Sequence, residues 1–136
     1  MSKIFFTSDN HFNHTKVIEY CNRPFSSVEE MNETMIKNWN NVVSAQDIIY
    51  HLGDFAFSRN QVTEFKDKLN GKIILIAGNH DFRMFKIGRL KQIFDEVYKD
   101  LTIEINGISL YLSHWPIETP SPNIDYYLNG HVHQNW

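Results

Sequence analysis

Short apolar runs separate longer amphipathic stretches over the first two thirds of the chain. The runs at residues 4–7, 48–52 and 72–77 are rich in β-branched and aromatic side chains and lack polar alternation. Such runs are typical of strands that are covered on both faces, as in a parallel sheet. They predict three buried strands.

The stretches between these runs have helical spacing. Ser27-Val28-Glu29-Glu30 is a capping-box sequence that predicts the start of one helix. The apolar side of that helix would carry Met31, Met35, Trp39 and Val42. We expect a second helix over residues 58–70, ended by Gly71, and a shorter one over residues 14–20.

The last third of the chain changes to strict alternation of apolar and polar residues. Alternating segments at 101–105 and 108–112 flank Asn106-Gly107, a strong two-residue hairpin turn. A further strand is predicted at about 126–128, after a proline-rich loop. Parallel βα units followed by antiparallel strands predict a mixed-sheet α/β domain with helices outside.

Length and composition fit one domain that spans residues 1–136. The chain has 42% hydrophobic and 14% aromatic residues, enough for a packed core. No apolar stretch approaches the roughly 18 residues of a membrane span, and the N-terminus lacks a signal-peptide layout. We therefore expect a cytoplasmic protein with no membrane partner. Its single cysteine, Cys21, excludes an internal disulfide and is interpreted as a small buried hydrophobe.

The formal charge of −3 gives no general indication of nucleic-acid binding. Nucleic acid stays open as a partner, because a local basic patch or bound cations can attract phosphate to an acidic protein. The sequence leaves the oligomeric state open as well.

Five short polar segments carry five of the seven histidines. These segments are Asp9-Asn10-His11, Gly53-Asp54, Gly78-Asn79-His80-Asp81, Ser113-His114 and Gly130-His131-Val132-His133. Each follows or ends an apolar run of strand type, and α/β sheets usually place their ligands at strand ends. Any one of these residues alone would more often be a cap or turn residue. Together the five segments predict a two-metal site.

The residue types in these segments suit two divalent ions held close together. A bridging carboxylate offsets the repulsion between the ions, and Asp54 is the natural bridge. Asp9 and His11 can approach one ion together, because alternate residues of a strand point the same way. His131 and His133 have the same spacing, although a turn there could aim them at different ions. Carboxylate, amide and imidazole ligands without thiolate favour manganese, with iron, zinc and nickel as alternatives.

The order of the five segments resembles one known family. Asp-x-His, Gly-Asp, Gly-Asn-His-Asp/Glu, His and Gly-His-x-His form the ordered signature of the calcineurin-like metallophosphoesterases, and all five blocks occur here. The stretches Phe6-Thr7-Ser8-Asp9-Asn10-His11-Phe12 and Tyr20-Cys21-Asn22-Arg23-Pro24-Phe25 look like the small bacterial and phage phosphoesterase branch. The resemblance implies a four-layer β-sandwich of mixed sheets flanked by helices. We expect it to be minimal or truncated at the C-terminus, since only Gln134, Asn135 and Trp136 follow the last block.

The resemblance also implies a role for each residue. The implied metal ligands form two sets joined by a shared carboxylate: Asp9, His11 and His133 for one ion, Asn79, His114 and His131 for the other, and Asp54 between them. His80 would contact the substrate phosphate, together with Asn79, and would stabilise or protonate the leaving oxygen. Asp81 would orient the His80 imidazole and keep it cationic. The implied reaction is hydrolysis of a small phosphomonoester or phosphodiester, including nucleotide-derived ones, by a metal-activated water without a covalent enzyme intermediate.

Residues outside the blocks have two interpretations each. Asn10 and Arg23 could contact the phosphate, or could serve as a turn residue and a surface residue. His14 could reach the substrate, but a capping or exposed residue is the favoured reading, while His51 is expected in the core near the metals. Basic residues at 83, 86 and 89 predict either a ledge beside the metals or a solvated helix face.

Two other functions stay open at this stage. A non-catalytic metal-binding or scaffold protein of the same fold would have little reason to keep His80. A nuclease would need a basic groove leading away from the metals, and only residues 83–91 hint at one.

Overall fold

The computed structural model describes residues 2–133. Seven strands and five α-helices follow one another along the chain, with a turn of 3-10 helix at Arg59–Gln61 leading into α3. Their bounds are β1 Ile4–Thr7, α1 Val17–Tyr20, α2 Val28–Val42, β2 Ile48–His51, α3 Val62–Asp67, β3 Lys72–Ile76, α4 Asn79–Met84, α5 Ile87–Ile93, β4 Glu96–Tyr98, β5 Asp100–Ile105, β6 Ile108–Ser113 and β7 Tyr126–Asn129.

Two sheets pack face to face. Strands β1 to β4 form a parallel sheet in chain order. Strands β5 and β6 form the predicted hairpin, and β7 pairs with β6 in parallel, which makes the second sheet mixed. Ile74, Ile76 and Leu112 are buried between the sheets. The other face of the parallel sheet, with Ile73 and Leu75, packs against apolar residues of the helices.

The predicted α/β class, with two sheets flanked by helices, is confirmed. Within residues 2–133, the helices that contribute to the apolar core pack on the parallel sheet. The expected shortening of the sandwich falls after His133, outside the described residues. None of the helices within 2–133 has the length and hydrophobicity needed to span a membrane.

Strand β1 differs from its prediction as a fully covered strand. It is the edge of the parallel sheet, and Ile4 and Phe6 are 43% and 37% exposed. An edge strand has a sheet neighbour on one side only. The mixed sheet also leaves part of the inner face of β1 uncovered. The apolar run was therefore read correctly as a strand but incorrectly as buried on both faces.

The helices are shorter than their patterns indicated. Residues 14–20 are helical only from Val17, and the 58–70 pattern is divided between the 3-10 turn and α3. A break at Phe85 and Lys86 separates α4 from α5, so the basic residues at 83, 86 and 89 do not share one helix face.

Helix α2 begins at the predicted capping box, where the Glu30 amide donates to Ser27 Oγ at 3.1 Å. Val42, expected on its packed side, is 61% exposed.

Candidate metal centre

The five polar segments come together at the carboxyl ends of five strands. Asp9 follows β1, Asp54 follows β2, Asn79 begins α4 just after β3, and His114 comes directly after β6. His131 and His133 follow β7, which runs parallel to β6. Parallel neighbours end on the same edge of a sheet, and this brings residues far apart in sequence into one cluster.

Tight turns at these strand ends aim the side chains inward. Five of the candidate ligands have a positive φ in the left-handed region: Asp9 at 56°, His11 at 51°, Asp54 at 56°, His131 at 72° and His133 at 54°. A positive φ is uncommon for residues other than glycine, and such strain concentrates at functional sites. The positive φ values at these turns indicate that the cluster is held in place at a cost in backbone strain.

Asp54 lies at the middle of the cluster. Its Oδ2 is 3.2 Å from Nε2 of His114, 3.6 Å from Nε2 of His11 and 4.0 Å from Nε2 of His80. The carboxylate is almost completely buried. A carboxylate shared by several imidazoles is in the position that the bridge between two ions requires.

Nε2 of His114 has one lone pair but lies close to three possible partners. The Nδ1–H of this buried ring donates to the Leu52 carbonyl at 2.7 Å, which leaves Nε2 with a lone pair. Asn79 Oδ1 and His131 Nδ1 each lie 3.1 Å from this Nε2, besides the Asp54 oxygen. Several lone-pair atoms pointing at one another repel unless a cation lies between them. The donor set fits a metal ion here.

A second set lies around Asp9. Its Oδ1 is 3.8 Å from Nε2 of His11 and 3.6 Å from Nε2 of His133. Nε2 of His11 is buried and has no hydrogen-bond partner among residues 2–133. Buried polar atoms without a partner are rare and call for an unseen one. The three groups able to hold a metal ion are Asp9 with His11 and His133, His11 with Asp54 and His80, and Asp54 with His114 and His131.

The electrostatics of the cluster favour charged carboxylates. Burial opposes ionisation of Asp9, but the neighbouring side chains of His11, Ser8 and His114 and a hydrogen bond from the His131 amide hold the pKa of its carboxyl well below the usual range. Burial likewise opposes protonation of His114, yet the neighbouring Asp54 raises the pKa of its imidazole. Carboxylates that stay ionised when buried are ready to bind cations.

Two glycines of the segments are required by close contacts. A Cβ atom on Gly78 would lie 2.5 Å from Asp54 Oδ1, which real structures do not tolerate. Gly53 has a φ of 100°, and a Cβ on it would lie 2.5 Å from Nδ1 of His114. The glycines of these segments allow the backbone to pass directly against the carboxylate and the imidazole.

A family model for the calcineurin-like phosphoesterases matches residues 2–119. The chain belongs to this family. Residues 2–119 include the first four of the five segments, and these are the ones that supply Asp9, Asp54, Asn79 and His114.

Similar proteins occur in cellular organisms and in a phage. The chain is 47% identical to the uncharacterized protein MJ1445 of Methanocaldococcus jannaschii, over 99% of this chain and 72% of that protein. It is 36% identical to the Gene 66 protein of Mycobacterium phage L5, over 60% of this chain and 41% of that protein. The crystal structure of AQ665 from Aquifex aeolicus, a protein of unknown function, matches with a TM-score of 0.79 and 31% identity, over 97% of this chain and 80% of that one.

His80 lies beside the candidate metal cluster, next to Asp54. Its backbone amide donates to Asp54 Oδ1 at 2.9 Å, and its ring packs edge-on to His11 with the centroids 4.9 Å apart. Nδ1 is buried without a hydrogen-bond partner within residues 2–133. Burial lowers the pKa of His80, while Asp54 acts in the opposite direction. The ring also lines a cleft of about 500 Å³ with His14, Tyr20 and Cys21, among other residues.

Asp81 does not contact the imidazole that it was expected to orient. Its carboxylate accepts the backbone N–H groups of Asp54 at 2.8 Å, Phe55 at 3.1 Å and Gly78 at 2.8 Å. Burial raises the pKa of Asp81 to about 6, against the effect of these three donors. In place of a cationic His80, the geometry gives Asp81 a backbone role: it ties the Asp54 turn to the Gly78 turn.

Asn10 and Arg23, for which a substrate contact was one of two interpretations, both contact protein groups. The Asn10 side-chain oxygen accepts from Nε2 of His51 at 2.7 Å. The Arg23 guanidinium donates to the carbonyls of Asp9 at 2.6 Å and Asn10 at 2.7 Å. Both side chains thereby bind protein groups, and the Arg23 hydrogen bonds stabilise the strained turn that carries Asp9.

His51 lies in the core near the metal cluster, as expected. It is fully buried, and burial lowers its pKa to about 4. Its Nδ1 accepts from the Gly53 amide at 3.2 Å, which places the proton on Nε2, toward Asn10. A neutral histidine therefore supports the backbone on both sides of the centre.

Two residues contact the candidate ligands although the sequence favoured other roles for them, a capping or exposed role for His14 and a buried hydrophobe for Cys21. His14 Nδ1 lies 3.2 Å from Nδ1 of His11, and its ring stacks on Phe57 with a centroid distance of 4.1 Å. Cys21 Sγ lies 3.3 Å from Nδ1 of His133. Partners on the far ring nitrogen orient metal-binding histidines. The Asp-x-His-x-x-His spacing contained a signal for His14, whereas nothing in the sequence links Cys21 to His133.

Proposed function

We propose that this protein is a binuclear metal-dependent phosphoesterase that hydrolyses its substrate with a metal-activated water. The observation that carries the proposal is the position of Asp54, whose Oδ2 lies within 4.0 Å of Nε2 of three histidines. This carboxylate joins the set around Asp9 to the set around His114. A purely structural metal site would need neither two sets of ligands nor a further histidine that belongs to neither set.

The proposed ligands follow the two sets. Asp9, His11 and His133 would hold one ion; Asn79, His114 and His131 would hold the other; Asp54 would contact both. Two divalent ions, with manganese favoured over iron, zinc and nickel by the oxygen and nitrogen donors, supply an activated water and neutralise the phosphate oxygens when bound.

His80 is the proposed proton donor. Its Nε2 faces the shared carboxylate across 4.0 Å and its ring lines the cleft above it. In the hydrolysis, a water oxygen bonds to phosphorus and the bond from phosphorus to the leaving oxygen breaks. The protonated imidazole of His80 donates its Nε2 proton to that oxygen and becomes neutral. The water loses a proton to solvent, and His80 regains one from solvent before the next turnover. A positioned acid of this kind contributes about 10²–10⁴-fold to a rate.

The test compares metal dependence with His80 dependence. Protein prepared without chelator is assayed with added Mn²⁺ on bis-p-nitrophenyl phosphate and on p-nitrophenyl phosphate, with and without EDTA. We expect turnover that EDTA abolishes, and the ratio of the two rates separates diesterase from monoesterase. His80→Ala should lower kcat about 10²-fold or more while the metal content stays at two ions per chain.

Arg89→Ala, an exposed substitution on α5, serves as the control and should leave kcat unchanged. Absence of metal-dependent turnover from protein with two bound ions would favour a non-catalytic scaffold and refute the proposal. Full activity of His80→Ala would remove His80 from the reaction.

A further inference from the structure

A second cleft borders the metal centre, separate from the one that His80 lines. Trp115 directly follows His114, and its ring centroid lies 5.1 Å from that of His114 and 6.3 Å from that of His131. The indole is 39% exposed. It forms one wall of a cleft of about 510 Å³ whose other walls are Phe82, Lys86, Ile87 and Lys99. One side chain thus touches the rings of two candidate metal ligands and also faces an open cleft.

The cleft combines aromatic and basic groups. Trp115 and Phe82 offer planar surfaces, and base stacking on such side chains is sequence-tolerant and favourable. Lys86 and Lys99 are exposed, and neither forms an ion pair within residues 2–133. No acidic residue lines the cleft within that range. On a chain with a formal charge of −3, two lysines in a cleft without carboxylates make a local site for an anion.

The cleft is connected to the proposed reaction centre through Trp115 and His114. The Trp115 ring packs edge-on to the His114 ring, and Nε2 of His114 lies 3.2 Å from Asp54 Oδ2. A substrate whose phosphate lies at Asp54 can therefore extend past Trp115 without leaving the protein surface. The volume is within the range of pockets that bind molecules of nucleotide size.

We propose that the Trp115 cleft binds a nucleoside arm of the substrate, with the base on Trp115 and a second phosphate at Lys86 and Lys99. This inference rests on the proposed phosphoesterase function, which places the reacting phosphate at Asp54. It identifies the substrate as a nucleoside flanked by two phosphates. Such a unit occurs in a small nucleotide and in single-stranded nucleic acid.

The test is a calorimetric titration of Mn²⁺-loaded protein with adenosine 3′,5′-bisphosphate and, separately, with inorganic phosphate. The bisphosphate should bind about tenfold or more tightly than phosphate. Trp115→Ala should weaken the bisphosphate about tenfold, equivalent to about 1.4 kcal/mol, and leave phosphate affinity and metal content unchanged. Lys86→Ala with Lys99→Ala should weaken the bisphosphate at low salt and have less effect at high salt.

Matched variants elsewhere on the surface provide the controls. Tyr126→Ala removes an aromatic side chain that is 60% exposed, and Lys37→Ala with Lys91→Ala removes the same charge as the cleft double variant. Both should bind the bisphosphate like the wild type. Equal affinity of the wild type for bisphosphate and phosphate would overturn the inference, and so would undiminished bisphosphate binding by Trp115→Ala.

Two further measurements separate the sources of the ligand and the two proposals. Binding of a hexameric oligodeoxynucleotide more tightly than the bisphosphate would assign the cleft to single strands, and weaker binding would assign it to small nucleotides. Turnover of bis-p-nitrophenyl phosphate is measured on the same samples. Trp115-dependent binding without any turnover would keep the nucleotide cleft and refute the phosphoesterase reaction, whereas turnover without such binding would refute only the cleft.

Discussion

Asp81 provides the sharpest test of how the centre is held together. The side chain is 1% exposed and accepts three backbone N–H groups, from Asp54, Phe55 and Gly78. In Asp81→Ala all three amides lose their acceptor, and each unsatisfied buried amide costs about 1–3 kcal/mol. The substitution also relieves a cost of about 3 kcal/mol, because burial raises the pKa of this carboxyl from 3.8 to about 6.

The difference between these contributions predicts a loss of about 3 kcal/mol in the free energy of unfolding, a large share of the roughly 5–15 kcal/mol typical of a domain. With a denaturant slope of about 2 kcal/mol/M, the urea midpoint should fall by about 1.5 M. Unfolding is followed by far-ultraviolet circular dichroism in EDTA, so that metal binding does not contribute. Asp81→Asn keeps the volume and one acceptor oxygen, and it should lose less than the alanine variant.

Asp67→Ala is the matched control, because this aspartate is exposed at the end of α3 and should change stability by less than about 0.5 kcal/mol. The reasoning would be refuted if Asp81→Ala unfolded at the wild-type midpoint while its metal-loaded form lost the same turnover as His80→Ala. That result would mean that the carboxylate acts through the imidazole, as the family resemblance implied.

Three other predictions concern metal, thiol and proton binding. Mn²⁺ at about 100 times its Kd should stabilise the metal-free protein by about 2.7 kcal/mol for each bound ion in thermal unfolding. Asp54→Asn should abolish this gain, and an equal gain in both proteins would exclude Asp54 as a ligand. Cys21→Ala should weaken one of two calorimetric metal-binding steps about tenfold, because Sγ contacts Nδ1 of His133, with partial rescue in Cys21→Ser; unchanged affinities would limit Cys21 to packing. The Asp47 carboxylate accepts hydrogen bonds from the amides of Ser44 and Lys3, and these bonds lower its pKa. Asp47 therefore stabilises the fold above its unfolded pKa of about 3.8. This stability is lost as the pH falls through the folded pKa. The difference in urea midpoint between the wild type and Asp47→Asn should therefore be present at pH 6 and vanish at lower pH, and a difference independent of pH would contradict this account.

The residue types and their places on strand ends were the predictable part of the centre. Aspartate, asparagine and histidine after an apolar run stand out in a sequence, and parallel strands deliver them to one edge. The hairpin turn was predictable for the same reason: Asn106 and Gly107 have φ values of 51° and 80°, a conformation that few residue pairs adopt. These features depend on local chemistry and on one general rule of sheet geometry.

The partners of Asp81 and Arg23 were not predictable, because they are backbone atoms. Backbone amides and carbonyls occur at every position, and nothing in a sequence marks which of them point at a buried side chain. The contact of Cys21 with His133 spans 112 residues and depends on how α1 meets the end of β7. The break between α4 and α5 was equally hidden, since the basic residues around it keep helical spacing.

Arg23 and Asp81, for which the sequence suggested roles at the substrate or at His80, instead explain how the strained turns persist. Positive φ at Asp9 and Asp54 costs on the order of 1 kcal/mol at each residue and would relax without opposing contacts. Arg23 donates to the Asp9 and Asn10 carbonyls, and Asp81 accepts the Asp54 amide, so each strained turn has a charged side chain fixed to its backbone. Hydrogen bonds to charged groups contribute about 1.5–3 kcal/mol each, enough to offset this strain. The metal ligands are therefore positioned before any ion binds, by charges that point at the backbone and not at the substrate.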